Sequence, residues 1–160
     1  MFKRAVMSAF ETVKELDKAM TETAVVTDFS VGDMWEQLPR YTAAANELGT
    51  TTKGAYETMT LFYQQGLDTN EAFAIGTETM KMARIAGLDY ANATNLMTAA
   101  LRGFNMELNE TSATRINDVY SELAAITAAD TQEIATAMTK TASIAANANM
   151  EFETTAALLS

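Results

Sequence analysis

At 160 residues, with 48% hydrophobic and 20% charged content, the chain is long enough to bury a core and too apolar for wholesale disorder. A net charge of −10, from 11 Lys+Arg against 21 Asp+Glu, excludes a free nucleic-acid surface, which needs clustered bases. The absence of His and Cys excludes disulfides, Ser-His and Cys-His nucleophile systems and most transition-metal ligand sets.

In chain order, residues 3–27 place Val6, Ala9, Val13, Leu16 and Met20 at alternating three-and-four spacing, the a and d positions of a heptad. This spacing predicts an amphipathic helix over residues 1–27 whose seam seeks a partner. Three heptads suit either a coiled coil or packing on the helix's own domain. After a break at residues 28–32, Asp33-x-x-Glu36 fits a capping box that opens a helix. Met34 and Trp35 in it are candidates for an exposed apolar contact. Pro39 either kinks this helix or restarts it, because proline lacks the N–H that an interior residue donates. Gly49 is a plausible stop, and Thr50 to Thr52 can cap a helix carrying Ala55, Met59, Phe62 and Tyr63.

Two corners then repeat, Gly66-Leu67-Asp68 and Gly87-Leu88-Asp89. In each, glycine takes the left-handed conformation that ends a helix, leucine tucks back, and aspartate caps the next helix. Between them Ala72, Ile75, Met80 and Met82 mark a helix that is apolar on two sides. Asn109 can cap a helix with Ile116, Tyr120 and Leu123, and Asp130-x-x-Glu133 opens another with Ile134 and Met138. The last pattern, residues 153–160, stops inside a helix. The many threonines are read as surface and helix-start residues, since a branched β-carbon restricts rotamers within helices.

No alternating strand pattern of useful length occurs. The expected fold is all-α: a compact array of seven to eight short helices with Gly/Asp-capped corners, behind a longer amphipathic helix. The corners recur, but the helix bodies share no consensus, which disfavours a solenoid. No apolar signal region follows Met1, and the uncharged runs, residues 90–101 and 141–150, are too short and polar to span a bilayer.

Candidate chemistry is sparse. Asp33, Asp68, Asp89 and Asp130 are accounted for as caps, and Glu36, Glu71 and Glu133 as their reciprocal partners. Gly49-Thr-Thr-Thr-Lys-Gly54 fails as a phosphate loop, because Ala55-Tyr56 stands where such a loop needs Lys-Ser or Lys-Thr. Met59, Met80, Met97 and Met138 sit at core spacing. Beyond Gly103, two bases (Arg115 and Lys140) face eight acids, which reads as a solvated acidic face or a surface for a basic partner. No catalytic residue, cofactor site or metal site is expected.

Four stretches resemble the core of the phage tail tape measure protein family. They are Leu16-Asp-Lys-Ala-Met-Thr-Glu22 with Val26-Thr-Asp28; Glu47-Leu-Gly-Thr-Thr52 with Leu61-Phe-Tyr-Gln-Gln-Gly-Leu-Asp68; Ala86-Gly-Leu-Asp89 through Ala99-Ala-Leu-Arg-Gly-Phe-Asn105; and Arg115-Ile-Asn-Asp-Val119 with residues 146–159. The Met150-Glu151-Phe152 corner departs from the pattern, a glycine turn being more usual there.

The resemblance implies a structural tail protein that sets tail tube length during assembly and is ejected ahead of the DNA. It also implies a fragment: residues 28–160 would be a helical core cut short at its C-terminal end. The implied partners are copies of itself, the tail tube protein and tail assembly chaperones, with no direct nucleic-acid binding and no membrane span. The implied location is the tube lumen of the virion tail, and the host cytoplasm during assembly. Two rival readings stand beside it. One is a helical scaffolding or adaptor domain binding one protein partner. The other, a membrane-active helical protein, lacks the basic face that anionic lipid attracts.

Overall fold

A computed structural model describes residues 2–127 and 129–159, residues 2–5 by their backbone alone. Eight α-helices and no strand occupy the described residues: α1 Phe2–Val25, α2 Val31–Leu48, α3 Thr52–Gln64, α4 Thr69–Ala86, α5 Tyr90–Gly103, α6 Glu110–Ile126, α7 Thr131–Asn147 and α8 Phe152–Leu159. The fold is all-α. The helix end expected at Ser160 lies outside the described residues. The chain divides into two compact units at Asp68–Thr69; α1 packs on α2 and α3, so the first unit begins before residue 28.

Most corners are built alike. At Gly49, Gly66 and Gly87 the backbone is left-handed, with φ of 62°, 86° and 65°. At Gly66, the Leu67 N–H donates to the Phe62 carbonyl (3.2 Å) and the Gly66 N–H to the Tyr63 carbonyl (2.9 Å). This pair of bonds satisfies carbonyls that the helix end would leave orphaned. Asn105 and Asn149 (φ 51° and 54°) make the same turn, with Met106 and Met150 N–H groups bonded to the Leu101 and Ala145 carbonyls. Asparagine tolerates the left-handed region better than other side-chain-bearing residues. The Met150 corner therefore keeps the geometry of a glycine turn without a glycine.

In the first unit α3 runs parallel to α1. Lys53 at its start pairs with Glu15 (3.3 Å), and Thr60 further along bonds Thr23 hydroxyl to hydroxyl (2.6 Å). Tyr41 of α2 stacks on Tyr56 of α3 with ring centroids 4.1 Å apart and bonds the Tyr63 hydroxyl (3.0 Å). Burial pushes both the Tyr41 and Tyr56 phenols well above the usual tyrosine range, so they stay neutral. The Tyr56 hydroxyl donates to the Met34 carbonyl (2.5 Å). Pro39 sits within α2 without ending it. Pro39 and Trp35 are both exposed, so the Trp35 carbonyl that Pro39 leaves without an N–H lies on the helix's solvent side.

The second unit buries Ile75, Met80, Met82, Met97, Leu101, Ile116, Tyr120, Ile134, Met138 and Phe152 among its five helices. α5 and α7 approach closely at Gly103, where an added Cβ would lie 2.5 Å from the Ala142 Cβ. Glu78 is 3% exposed. Its carboxylate pairs with Lys81 and accepts from Asn117 Nδ2 (2.9 Å), which also donates to the Glu78 carbonyl (2.8 Å). Such pairing is what lets a carboxylate remain buried. No sequence signal marked this cluster, because its members are 39 residues apart.

The threonines depart from the expectation of surface and helix-start sites. Thr23, Thr58, Thr60, Thr79 and Thr155 are buried inside helices; the Thr58, Thr79 and Thr155 hydroxyls donate to the carbonyl four residues back at 2.8–3.0 Å, and of the paired Thr23 and Thr60 hydroxyls one donates to the other while its partner donates to the carbonyl four residues back. The helix backbone itself satisfies the buried hydroxyl.

Candidate interaction surface

The caps that position the helices are mostly short polar side chains. Thr51, Asp89, Asn109 and Asp130 each precede a helix and accept from the N–H three residues on. Asp130 and Glu133 form a full capping box. Asp68 immediately precedes α4.

Asp33 requires a correction. The cap of α2 is Ser30, and Asp33 is the third helical residue of a Ser30-x-x-Asp33 box, so Glu36 lies a turn further in. The Asp33 carboxylate accepts from the Ser30 hydroxyl (2.7 Å) and backbone N–H (2.6 Å), and these bonds hold it below the usual carboxylate range. Asp33 and Glu36 also stand at capping-box spacing, so the sequence offers two overlapping boxes and only the one opened by Ser30 forms. Met34, paired with Trp35 as an exposed contact, is instead fully buried; Trp35 is 43% exposed.

The heptad seam of α1 divides. Met20 is fully buried, Ala19 and Thr23 are buried beside it, and Leu16 is half-buried. Val6, Ala9 and Val13 are exposed, and so is every residue from Val6 to Glu15. The α3 start explains the division: Lys53 meets Glu15, so α3 covers α1 only from that level onward. Lys53 also approaches Glu57 (3.6 Å), and the Glu15 hydrogen bond followed by the Glu57 charge holds its ammonium above the usual lysine range. Val6, Met7, Phe10 and Val13, 52–66% exposed, form the most concentrated run of exposed large apolar side chains among the described residues. Phe10 falls outside the a and d positions of the seam.

No group of three or more His, Cys, Asp or Glu able to hold a metal occurs among the described residues. Among the described residues no helix is long and apolar enough to cross a membrane. A shallow cleft of about 460 Å3 in the second unit is lined by Ile85, Ala86, Ser121, Ala124, Ala125 and the α6–α7 corner, with Asp130 already used as a cap. Near α8, Arg115 forks onto Glu153 with its Nε and Nη2, the latter at 2.7 Å from Oε2.

These features define an all-α protein whose helices are capped by short polar side chains and whose α1 leaves an apolar face exposed. The chain belongs to the phage-related minor tail protein family, whose pattern matches residues 42–160. It is 32% identical over 126 residues to the tape measure protein of Pneumococcus phage Dp-1. That alignment covers 76% of this chain and 11% of the phage protein, so the chain spans about a tenth of its relative's length. No solved structure matches it.

Proposed function

We propose that this chain is a segment of a tape measure core, a structural tail component that templates tube length during virion assembly and leaves ahead of the DNA. The observation that carries the reading is the 32% identity to a protein named as a tape measure, supported by the tail-family match over residues 42–160. On this reading the segment does no catalysis. Its partners are copies of itself, the tail tube protein and tail assembly chaperones. It lies in the tube lumen of the finished tail, and in the host cytoplasm before assembly.

The residue chemistry supports a packing role. Acid side chains at the helix starts are consumed as caps, while Val6, Ala9 and Val13 remain free for a protein partner. The test is the native gene product in purified virions. Mass spectrometry of isolated tails should find these peptides within a chain of many hundreds of residues. A product that ends near Ser160 and is absent from tails would overturn the reading in favour of a helical adaptor.

A further inference from the structure

We propose that Glu78, Lys81 and Asn117 form a self-modification site, at which the Lys81 amine condenses with the Asn117 carboxamide to make an isopeptide bond between α4 and α6. The inference is argued from this cluster alone, and its failure leaves the tail assignment standing.

One carboxylate holds both reacting groups. Glu78 Oε1 pairs with Lys81 Nζ, and Glu78 Oε2 accepts from Asn117 Nδ2 at 2.9 Å. A purely structural partner for a buried carboxylate can be any donor. Here the two donors are a nucleophile, the lysine amine, and an acyl group that it can attack, the asparagine carboxamide. The carboxamide is fixed in orientation, because its Nδ2 also donates to the Glu78 carbonyl (2.8 Å). A flip would set Oδ1 against two acceptors. Rotation about the flexible Lys81 stem, with both helices unmoved, is the movement that brings Nζ from Oε1 onto Asn117 Cγ.

The surroundings suit acyl transfer to an amine. Glu78 is 3% exposed and Asn117 7% exposed, so bulk water is kept from competing for the carboxamide carbon. The Lys81 side chain is 41% exposed, which leaves departing ammonia a way out. Asn117 Oδ1 has no hydrogen-bond donor from the protein. Charge developing on that oxygen is therefore unsupported, and the linkage forms slowly.

The step balances within the cluster. Glu78 takes a proton from the Lys81 ammonium, and the freed Nζ lone pair attacks Asn117 Cγ. The Glu78 carboxyl gives that proton to Nδ2 as the Cγ–Nδ2 bond breaks, and ammonia leaves. Nζ then loses its second proton to Glu78, which passes it to the ammonia. The products are a neutral amide, an ammonium ion and the original carboxylate. Nothing is oxidised or reduced. Glu78 thus serves as base and then as acid, and holding both groups on one side chain replaces a collision by proximity.

The intact mass of the 160-residue chain after prolonged incubation tests this. The mass should fall by about 17 Da, one ammonia lost on acyl transfer. Trypsin should cease to cut after Lys81, and residues 54–84 should be recovered joined to residues 116–140. Lys81→Arg keeps a cation beside Glu78 but supplies no amine, and it should show neither the mass loss nor the joined peptides. Glu78→Gln, with helix content checked by circular dichroism, should slow the linkage about a hundredfold. An unchanged mass would overturn the proposal. So would the same mass loss without joined peptides (ring closure at Asn117 alone), an undiminished loss in Lys81→Arg, or an unslowed linkage in Glu78→Gln.

Discussion

Gly103 carries no side chain because α7 leaves it no room: a Cβ would meet the Ala142 Cβ at 2.5 Å and approach the Ala142 backbone at 3.7 Å. Backbone cannot swing aside as a side chain can, so a larger residue must push two helices apart. Gly103→Val should cost about 2 kcal/mol, the usual scale of overpacking, read as a lowered urea midpoint. An unchanged midpoint would mean that α5 and α7 are less closely apposed. Gly66 and Gly87 are glycines for a different reason: nothing lies within 4 Å of a Cβ at either, and only the left-handed backbone demands them. That demand was readable from the sequence at Gly66 and Gly87, where glycine, leucine and aspartate stand in order. At Asn105 and Asn149 it was not, because asparagine serves equally as a cap, a loop residue or a left-handed turn. The contact at Gly103 was invisible too, since Ala142 is distant in sequence.

At the scale of elements, capping chemistry was legible and side-chain coverage was not. Helix starts at Asp89, Asn109 and Asp130 follow from short side chains that satisfy nearby N–H groups, a local matter. The fate of the α1 seam depends on where α3 begins, and periodicity alone does not carry that. The tie between α6 and α8 is likewise long-range, joining Arg115 to Glu153 across 38 residues. The Arg115 hydrogen bond holds the Glu153 carboxyl below its ordinary value of 4.5. A carboxyl depressed in the folded state stabilises it above that ordinary value, and the contribution fades as pH falls through and below 4.5. Because the pair is nearly half exposed, the effect should stay under ~1 kcal/mol. The melting temperatures of the natural chain and of Glu153→Gln should therefore differ slightly at pH 7 and converge by about pH 3. A gap that is constant with pH would contradict this account of the pair.

At the scale of the whole molecule, the composition already pointed away from redox, imidazole and nucleic-acid chemistry and toward helices. The family match and the kinship with a tape measure protein give that helical chain its place among phage tail proteins. On the tape measure role proposed above, length is the property that matters, and it can be changed at will in the gene. An in-frame deletion of these 160 codons in the full-length gene should shorten the tails, seen by negative-stain electron microscopy. If the segment lies in the tube as a continuous helix, the loss is on the order of 240 Å at ~1.5 Å per residue. A tandem duplication of the same codons should lengthen the tails by a like amount. Tails of unchanged length in both mutants would contradict the tape measure account.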